Sequence, residues 1–455
     1  MKLHIYGAMK NYKSRRPLRL HMPGHKAEKK LFPLFKDAPL DITELSFSDC
    51  LENADGVIRE AEADIAQILG AKRSHLLTDG STAGVYAMLY AAKKQGGKIA
   101  IARNSHKSVY NACRVLGIEP YLLKNNERDG ILLPPTASDV EEAFKKETNL
   151  CGVLITSPDY FGNVADLSGI RKVCGRYGKL LFADGAHGAY MRFDADEKAA
   201  YAGNFAQAWV DGAHKTLPTL TQGAVLNVND EELEESIAEG LDLFRTTSPS
   251  YPIMASVEYG VKFMQEQGAA LIDAFRRQFA FIKTRLKKRG VRFYEDSRTL
   301  VLAVDFGGAG IRAQAAAEEL ERRGIFAELE DGRYVLFYFS PLTRVSALSR
   351  LERAVCSVWR MKQFRGGSVP QQKYVSGIKK FSYLTAHTLA YEYIPVGESA
   401  GRIAARNAGI TPPCYPIVIA GEQITPQAVQ ALTDAPHTFG LKDKKIAVTK
   451  IGGRE

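Results

Sequence analysis

The sequence predicts an α/β protein: a large domain on a mostly parallel sheet, then a small α+β domain and a C-terminal appended domain. Three observations predict it. From about residue 74 to 228, short apolar, β-prone runs alternate with helix-like stretches; nearly continuous apolar runs suit strands buried on both faces, and helical crossovers imply parallel neighbours. From about 265 to 365 the order becomes a long helix, then strand, helix and strand. Around Gly366-Gly-Ser-Val-Pro370 the composition turns to linker residues. The expected boundaries are an N-terminal arm (1–50), a large domain (51–265), a small domain (266–365) and a C-terminal domain (371–455).

The large domain's expected strands are 74–78, 98–102, 152–156, 179–183, 208–211 and 223–227, each rich in Ile, Val, Leu, Phe or Ala. Helical stretches at 83–94 and 167–177 fall between them. In the small domain the spacing predicts a helix over 268–288, a strand over 299–306, a helix over 312–323 and a strand over 334–339. Residues 371–455 carry several prolines and turns. The chain shows no internal repeat and no low-complexity tract.

Composition removes several function classes. The 455 residues are 45% apolar and 25% charged, which excludes a disordered chain, a collagen-like fibre or a small disulfide scaffold. No apolar run reaches the roughly 18 residues a membrane span needs. The first residues lack an apolar signal core, so a cytoplasmic protein is expected. The six cysteines (50, 113, 151, 174, 356 and 414) form no Cys-x-x-Cys pair, against a zinc ribbon or a thioredoxin-type site. The net charge is +10, with Lys10, Lys13, Arg15, Arg16, Arg19, Lys26, Lys29 and Lys30 close together. Pro17, Pro23 and Gly24 break that run and it has no repeated pattern, so nucleic acid is not the expected partner. A positive surface equally suits an anionic cofactor.

Three short segments carry chemistry. Thr78-Asp-Gly-Ser-Thr-Ala-Gly84 lies between a strand and a helix, where helix-start amides and the Ser81 and Thr82 hydroxyls would make an anion socket. It lacks the Gly-Lys-Ser/Thr of a Walker loop, and alone it reads equally well as a capped turn. Phe182-Ala-Asp-Gly-Ala-His-Gly188 places Asp184 at the tip of an apolar strand, the sheet edge where α/β proteins bind ligands. A buried acid there needs a positive partner, such as a protonated heteroaromatic nitrogen, with Ala186 under the ring and His187 near its polar edge. A lone Asp-Gly more often caps a turn. Val210-Asp-Gly-Ala-His-Lys-Thr-Leu217 sets Lys215 just past another strand. Burial or nearby cations would lower its pKa and free an amine for a Schiff base; alone, a surface lysine is as good a reading. In this order the three segments meet the needs of pyridoxal 5′-phosphate: a phosphate socket, an acid for the pyridine nitrogen and an amine for the aldehyde.

The chain resembles the fold-type-I pyridoxal-phosphate enzymes, and within them the ornithine/lysine/arginine decarboxylases in the short form without an N-terminal wing domain. The resemblance rests on His21-Met-Pro-Gly-His-Lys26, Asp41-Ile-Thr-Glu-Leu45, Asp79-Gly-Ser-Thr-Ala-Gly84, Arg103-Asn-Ser-His-Lys-Ser108, Ala183-Asp-Gly-Ala-His-Gly188 and Asp211-Gly-Ala-His-Lys-Thr-Leu217. It continues in Gln222-Gly-Ala, Thr246-Thr-Ser-Pro-Ser-Tyr and Glu398-Ser-Ala-Gly-Arg402, over nearly the whole chain. It implies that Lys215 is the Schiff-base lysine, that Asp184 partners the pyridine nitrogen, and that His106 stacks on the ring and can shuttle a proton. Ser81, Thr82 and His214 would hold the phosphate, with Ser248 supplied by a partner subunit, and Ser157 would approach the O3′ edge. Two positions depart from the family: Gly185 stands where many members have Glu, and Gly212 where others have a phosphate-binding Ser.

The resemblance also implies the reaction, decarboxylation of lysine, ornithine or arginine to the amine in polyamine synthesis, by a homodimer or higher homo-oligomer whose N-terminal arm wraps the partner. A basic substrate side chain needs an acidic end to its pocket, and Asp49, Glu52, Asp159 and Glu422 are candidates; solvated surface carboxylates are the plainer reading of each. Two other readings stay open: an aminotransferase or lyase acting on another amino acid, and a non-catalytic cofactor- or nucleic-acid-binding regulator.

Overall fold

The computed structural model describes every residue except 24, 28–32, 125, 296, 299, 367–376, 412–413, 436 and 451–455. Gly24 of the His-Met-Pro-Gly-His-Lys run, Lys29 and Lys30 of the basic stretch, Thr299 of an expected strand and 367–370 of the expected linker lie outside the described residues. The chain divides into two compact units, residues 1–95 with 166–273, and residues 96–165 with 274–455.

In the first unit, helices α1 (His4–Ser14) and α2 (Val57–Leu69) precede strand β1 (Arg73–Leu77) and α3 (Ser81–Lys94). The second unit then takes β2 (Lys98–Ile101), α4 (Lys107–Leu116), β3 (Pro120–Leu122), the hairpin β4 (Asn126–Arg128) and β5 (Ile131–Leu133), α5 (Ala137–Lys146) and β6 (Leu150–Thr156). The chain returns to the first unit for α6 (Leu167–Tyr177), β7 (Leu180–Asp184), β8 (Ala208–Asp211), the short α7 (Ala213–Thr216), β9 (Ala224–Val228) and α8 (Glu234–Phe244). Helix α9 (Tyr251–Lys288) begins there and ends in the second unit. The second unit closes with β10 (Val301–Asp305), α10 (Ala313–Arg322), β11 (Leu329–Glu330), β12 (Tyr334–Tyr338) and α11 (Val345–Trp359). After these come α12 (Tyr383–Thr388), β13 (Tyr391–Pro395), β14 (Ala408–Ile410), β15 (Tyr415–Val418), α13 (Pro426–Asp434), β16 (Thr438–Phe439), β17 (Leu441–Lys442) and β18 (Lys445–Thr449).

The fold is α/β with a large, mostly parallel sheet. Its strands run β1-β9-β8-β7 within the first unit and β6-β2-β3 within the second. Strands β7 and β8 are parallel, with Asp184 opposite Val210, so their carboxyl ends emerge side by side. β9 runs antiparallel to β8 and to β1. Every residue of β8 and β9 is buried, which is why these segments read as nearly continuous apolar runs, broken only by Asp211 and Asn227. In the second unit β10, β12 and β11 form an antiparallel sheet, and strands β13 to β18 build two more small antiparallel sheets with α13. Ala404, Ile417, Leu432, Ile446 and Val448 pack together in that final core.

One expectation changes. The long helix begins at Tyr251, not 268, because Gly268 is a close-packing residue rather than a stop: a Cβ there would lie 2.8 Å from Met264 Cε and 3.1 Å from Phe193 Cβ. The N-terminal arm opens with α1 seated on its own unit, with Ile5 and Met9 buried. Glu258 of α9, itself fully buried, accepts the backbone N–H groups of His4 and Ile5, and Lys262 donates to Asp64 at 2.6 Å. These carboxylate contacts supply the N-cap that Leu3 lacks. No helix among the described residues is long and apolar enough to cross a membrane.

Candidate active site

The site grows from the carboxyl ends of β7 and β8 in the first unit. Asp184 ends β7 and is only 4% exposed. Its Oδ1 accepts the N–H of Ala186 at 3.2 Å. Burial pushes its pKa up, while the charge of Lys215 and the Ala186 N–H pull the other way. A buried carboxylate with so little hydrogen bonding is complementary to a cation. Four residues past β8, Lys215 lies in α7 with its Nζ 2.9 Å from His187 Nε2. An ammonium can only donate, so Nε2 accepts and the His187 proton sits on Nδ1. The Lys215 side chain is exposed rather than buried within the single chain.

Beside them, Gly80 adopts φ +69° at the N-cap of α3, a backbone conformation that favours glycine. This presents the first amides of the helix with Ser81 and Thr82. The Ser81 hydroxyl oxygen is buried and has no hydrogen-bond partner, whereas Thr82 is exposed. His214 is half-buried and its Nδ1 donates to the Gly223 carbonyl at 2.9 Å. Burial and then the Lys215 charge lower its pKa, against the Gly223 carbonyl, which raises it. Ala186 is buried, and Ser248 is exposed in a turn where Thr246 N–H reaches Asp79 Oδ2 at 3.3 Å. The first unit thus gathers Ser81, Asp184, Ala186, His187 and Lys215 around one corner, flanked by Thr82 and His214. An unpaired hydroxyl at a helix start, a buried acid and an amine are the donor set that pyridoxal phosphate requires, so the residues fit that group.

In the second unit His106 is the N-cap of α4; its Nδ1 accepts the Ser108 N–H at 3.2 Å and lies 2.8 Å from Ser108 Oγ. That bond leaves the proton of a neutral His106 on Nε2. Ser157 is buried past the end of β6 and its Oγ accepts the Ala165 N–H at 3.1 Å.

The four acidic candidates fare differently. Asp49 is a structural cap: burial raises its pKa, but N–H groups of Cys50, Asp55, Gly56 and Ile58 outweigh that and hold it below the usual range. Asp159 closes its own loop through Phe161 and Asn163, with burial pushing it up to about 6. Glu422 is bound at both oxygens by Arg103, at 2.6 and 2.7 Å. Glu52 is exposed. The sequence reading missed Glu328, which accepts the Tyr160 O–H at 2.5 Å just past Ser157, beside the half-buried rings of Tyr160 and Tyr338. It lies 168 residues from Tyr160 and carries no local motif. It also missed Asp211, which the run before Lys215 contains: its Oδ2 accepts from Tyr201 Oη (2.6 Å), Trp209 Nε1 (2.9 Å) and Asn227 Nδ2 (3.1 Å), and its buried Oδ1 has no partner.

Comparison with known proteins gives three kinds of match. Residues 4–300 match the family described as "Orn/Lys/Arg decarboxylase, major domain". The uncharacterized protein YaaO of Bacillus subtilis is 29% identical, over 98% of both chains. An arginine decarboxylase of the same organism is 25% identical, over 93% of this chain and 92% of its own. Among solved structures, the Francisella novicida lysine decarboxylase LdcF superposes with a TM-score of 0.82 at 18% identity, covering 99% of this chain and 81% of that one.

Proposed function

The chain belongs to the Orn/Lys/Arg decarboxylase family and has the fold-type-I α/β fold, and from that premise we propose that it is a pyridoxal-phosphate-dependent decarboxylase of lysine, ornithine or arginine that yields the corresponding amine for polyamine synthesis. The observation that carries the reading is the pairing of strand ends: a buried acid closes β7, and a lysine hydrogen-bonded to that strand's following turn lies just beyond β8.

Bound there, the cofactor would supply an electron sink for the charge left at the substrate Cα when carbon dioxide departs. The chain's own groups do the rest. Asp184, kept from water, holds the pyridine nitrogen protonated, because an ion pair in a buried setting is worth more than in solvent. Lys215 gives the amine that links the cofactor, and His187 accepts a hydrogen bond from it and can take a proton at Nε2. Ser81, Thr82 and the α3 amides hold the phosphate, with His214 as a further donor when protonated and Ser248 supplied by a second copy in a cytoplasmic homodimer. His106, locked by Ser108 with its proton on Nε2, is the proposed cover of the cofactor ring and proton donor to Cα. Ser157 is the proposed neighbour of O3′. Arginine is the first substrate to test, since a relative matching over nine-tenths of the chain bears that name.

Incubation with each of the three amino acids, with identification of the amine and of carbon dioxide, tests the reading. Lys215→Ala should abolish both turnover and the visible absorbance of the bound cofactor. An oxo-acid product, or salt-sensitive DNA binding without turnover, would replace this reading with the aminotransferase or the regulator.

A further inference from the structure

The corner at Gly212 has a geometry that the assigned roles leave unexplained. Its φ is −80°, which any residue adopts, so conformation does not require glycine there. Space does. A Cβ on Gly212 would lie 2.5 Å from the Ala186 carbonyl oxygen, 3.2 Å from its carbon and 3.1 Å from Ser81 Oγ. The serine hydroxyl can rotate away, but the Ala186 carbonyl belongs to a tied turn. Within it Gly185 N–H donates to Val210 O (2.9 Å), Ala186 N–H to Asp184 Oδ1 (3.2 Å) and Gly188 N–H to Gly185 O (2.7 Å). The same turn carries His187, the hydrogen-bond partner of Lys215. Gly185 is confined from the same side: a Cβ there would lie 3.1 Å from Val210 O and 3.4 Å from the unpartnered Asp211 Oδ1, so a glutamate would start beside a buried carboxylate.

We propose that Gly212 is a positioning residue for the pyridine end of the cofactor, its bare Cα being the seat of the Ala186 carbonyl that aligns Asp184 and His187 with Lys215. The sequence suggests a missing phosphate ligand at this position; the geometry makes the absence of a side chain the functional feature. A serine there would displace the turn instead of adding a useful hydroxyl. The inference rests on the pyridoxal-phosphate reading and says which end of that molecule Gly212 serves.

The test uses full-length wild type, Gly212→Ala, Gly212→Ser and Ser81→Ala, titrated with pyridoxal phosphate and with pyridoxal, which lacks the phosphate. Visible absorbance is followed against pH. Both Gly212 variants should bind both compounds about ten- to a hundredfold more weakly, the range expected of a collision with backbone. They should also shift the pH midpoint of the absorbance, since the acid and the histidine have moved. Ser81→Ala should weaken pyridoxal phosphate alone. If either Gly212 variant fails to fold, Gly185→Ala, whose nearest contact is 3.1 Å, should show the same midpoint shift. Gly212→Ser binding pyridoxal phosphate as tightly as wild type, or either Gly212 variant losing affinity for the phosphate compound but not for pyridoxal, would overturn the proposal. Wild type that takes up neither compound would instead remove the cofactor reading, and this proposal with it.

Discussion

Glu422 can be separated cleanly from substrate recognition by changing it to glutamine. Its carboxylate receives two bonds from Arg103, at 2.6 and 2.7 Å, and the Ile419 N–H at 3.2 Å, while Arg103 Nη2 also donates to the Ile417 carbonyl. Both side chains are more than nine-tenths buried. Glutamine keeps the shape but leaves a guanidinium buried without its counter-charge, and breaking such a pair from one side costs about 3–5 kcal/mol. Spread over the roughly 250 residues of the second unit, at about 2.1 cal/mol/K per residue, this lowers the melting temperature by about 6–9 °C. Thermal unfolding followed by circular dichroism measures that, and steady-state kinetics on arginine, lysine and ornithine measures the rest. The KM values should keep their order, because an acid consumed by Arg103 has nothing left for a substrate. A variant that melts within about 2 °C of wild type while its KM for one substrate rises tenfold would refute the assignment.

Three further outcomes follow from the buried titratable groups. His387, whose two ring nitrogens are buried without partners, has its pKa lowered to about 4 by burial and then by Arg114 and Arg406. The unfolded chain therefore gains a proton that the folded chain refuses, so stability is lost as pH falls from 6.5 to 4. After discounting for partial exposure this is about 1–2 kcal/mol, and His387→Phe should remove it in pH-dependent denaturation curves. Asp211, pushed up to about 7 by burial against its three donors, works in the opposite sense: its contribution is lost as pH rises from 3.8 to 7, and Asp211→Asn should flatten that part of the stability profile by one proton. His214 donates from Nδ1 to Gly223, so it becomes a phosphate donor only by taking a proton on Nε2. With burial lowering its pKa, that donor is lost as pH rises towards the ordinary imidazole value of 6.5, so cofactor affinity should fall over that approach in wild type, and His214→Gln should lessen the slope in a binding titration.

What the sequence disclosed, and what it did not, divides along a physical line. Strands such as Ala208–Asp211, and the motif residues at their ends, are legible because burial on both faces leaves a nearly continuous apolar signature and because local chain geometry alone places an acid, a helix start and a lysine at or just past strand ends. Helix α11 and the onset of α9 were not. Glycine and proline ordinarily end helices, yet Gly268 sits inside one where a neighbouring side chain occupies the place of its Cβ. The acidic candidates were least legible. A carboxylate's identity says nothing about who holds it, and Asp49, Asp159 and Glu422 are all held by groups of their own chain, the last by an arginine 319 residues away.

The two family departures look like losses for the same reason. Read one position at a time, Gly185 lacks a carboxylate and Gly212 lacks a hydroxyl. Together they let the turn after β7 and the corner after β8 meet backbone to backbone, with Gly185 N–H on Val210 O and the Ala186 carbonyl against Gly212. A Cβ on Gly212 would collide with the Ala186 carbonyl at 2.5 Å, and one on Gly185, 3.1 Å from the Val210 carbonyl oxygen, would press on a group already committed to a hydrogen bond. The two glycines therefore act as one feature, and effects of substituting both should fall short of the sum of the single effects, because the first collision already displaces the turn that the second would meet. A double-mutant cycle of Gly185→Ala and Gly212→Ala on cofactor affinity measures that coupling; strictly additive losses would mean that the two corners are independent.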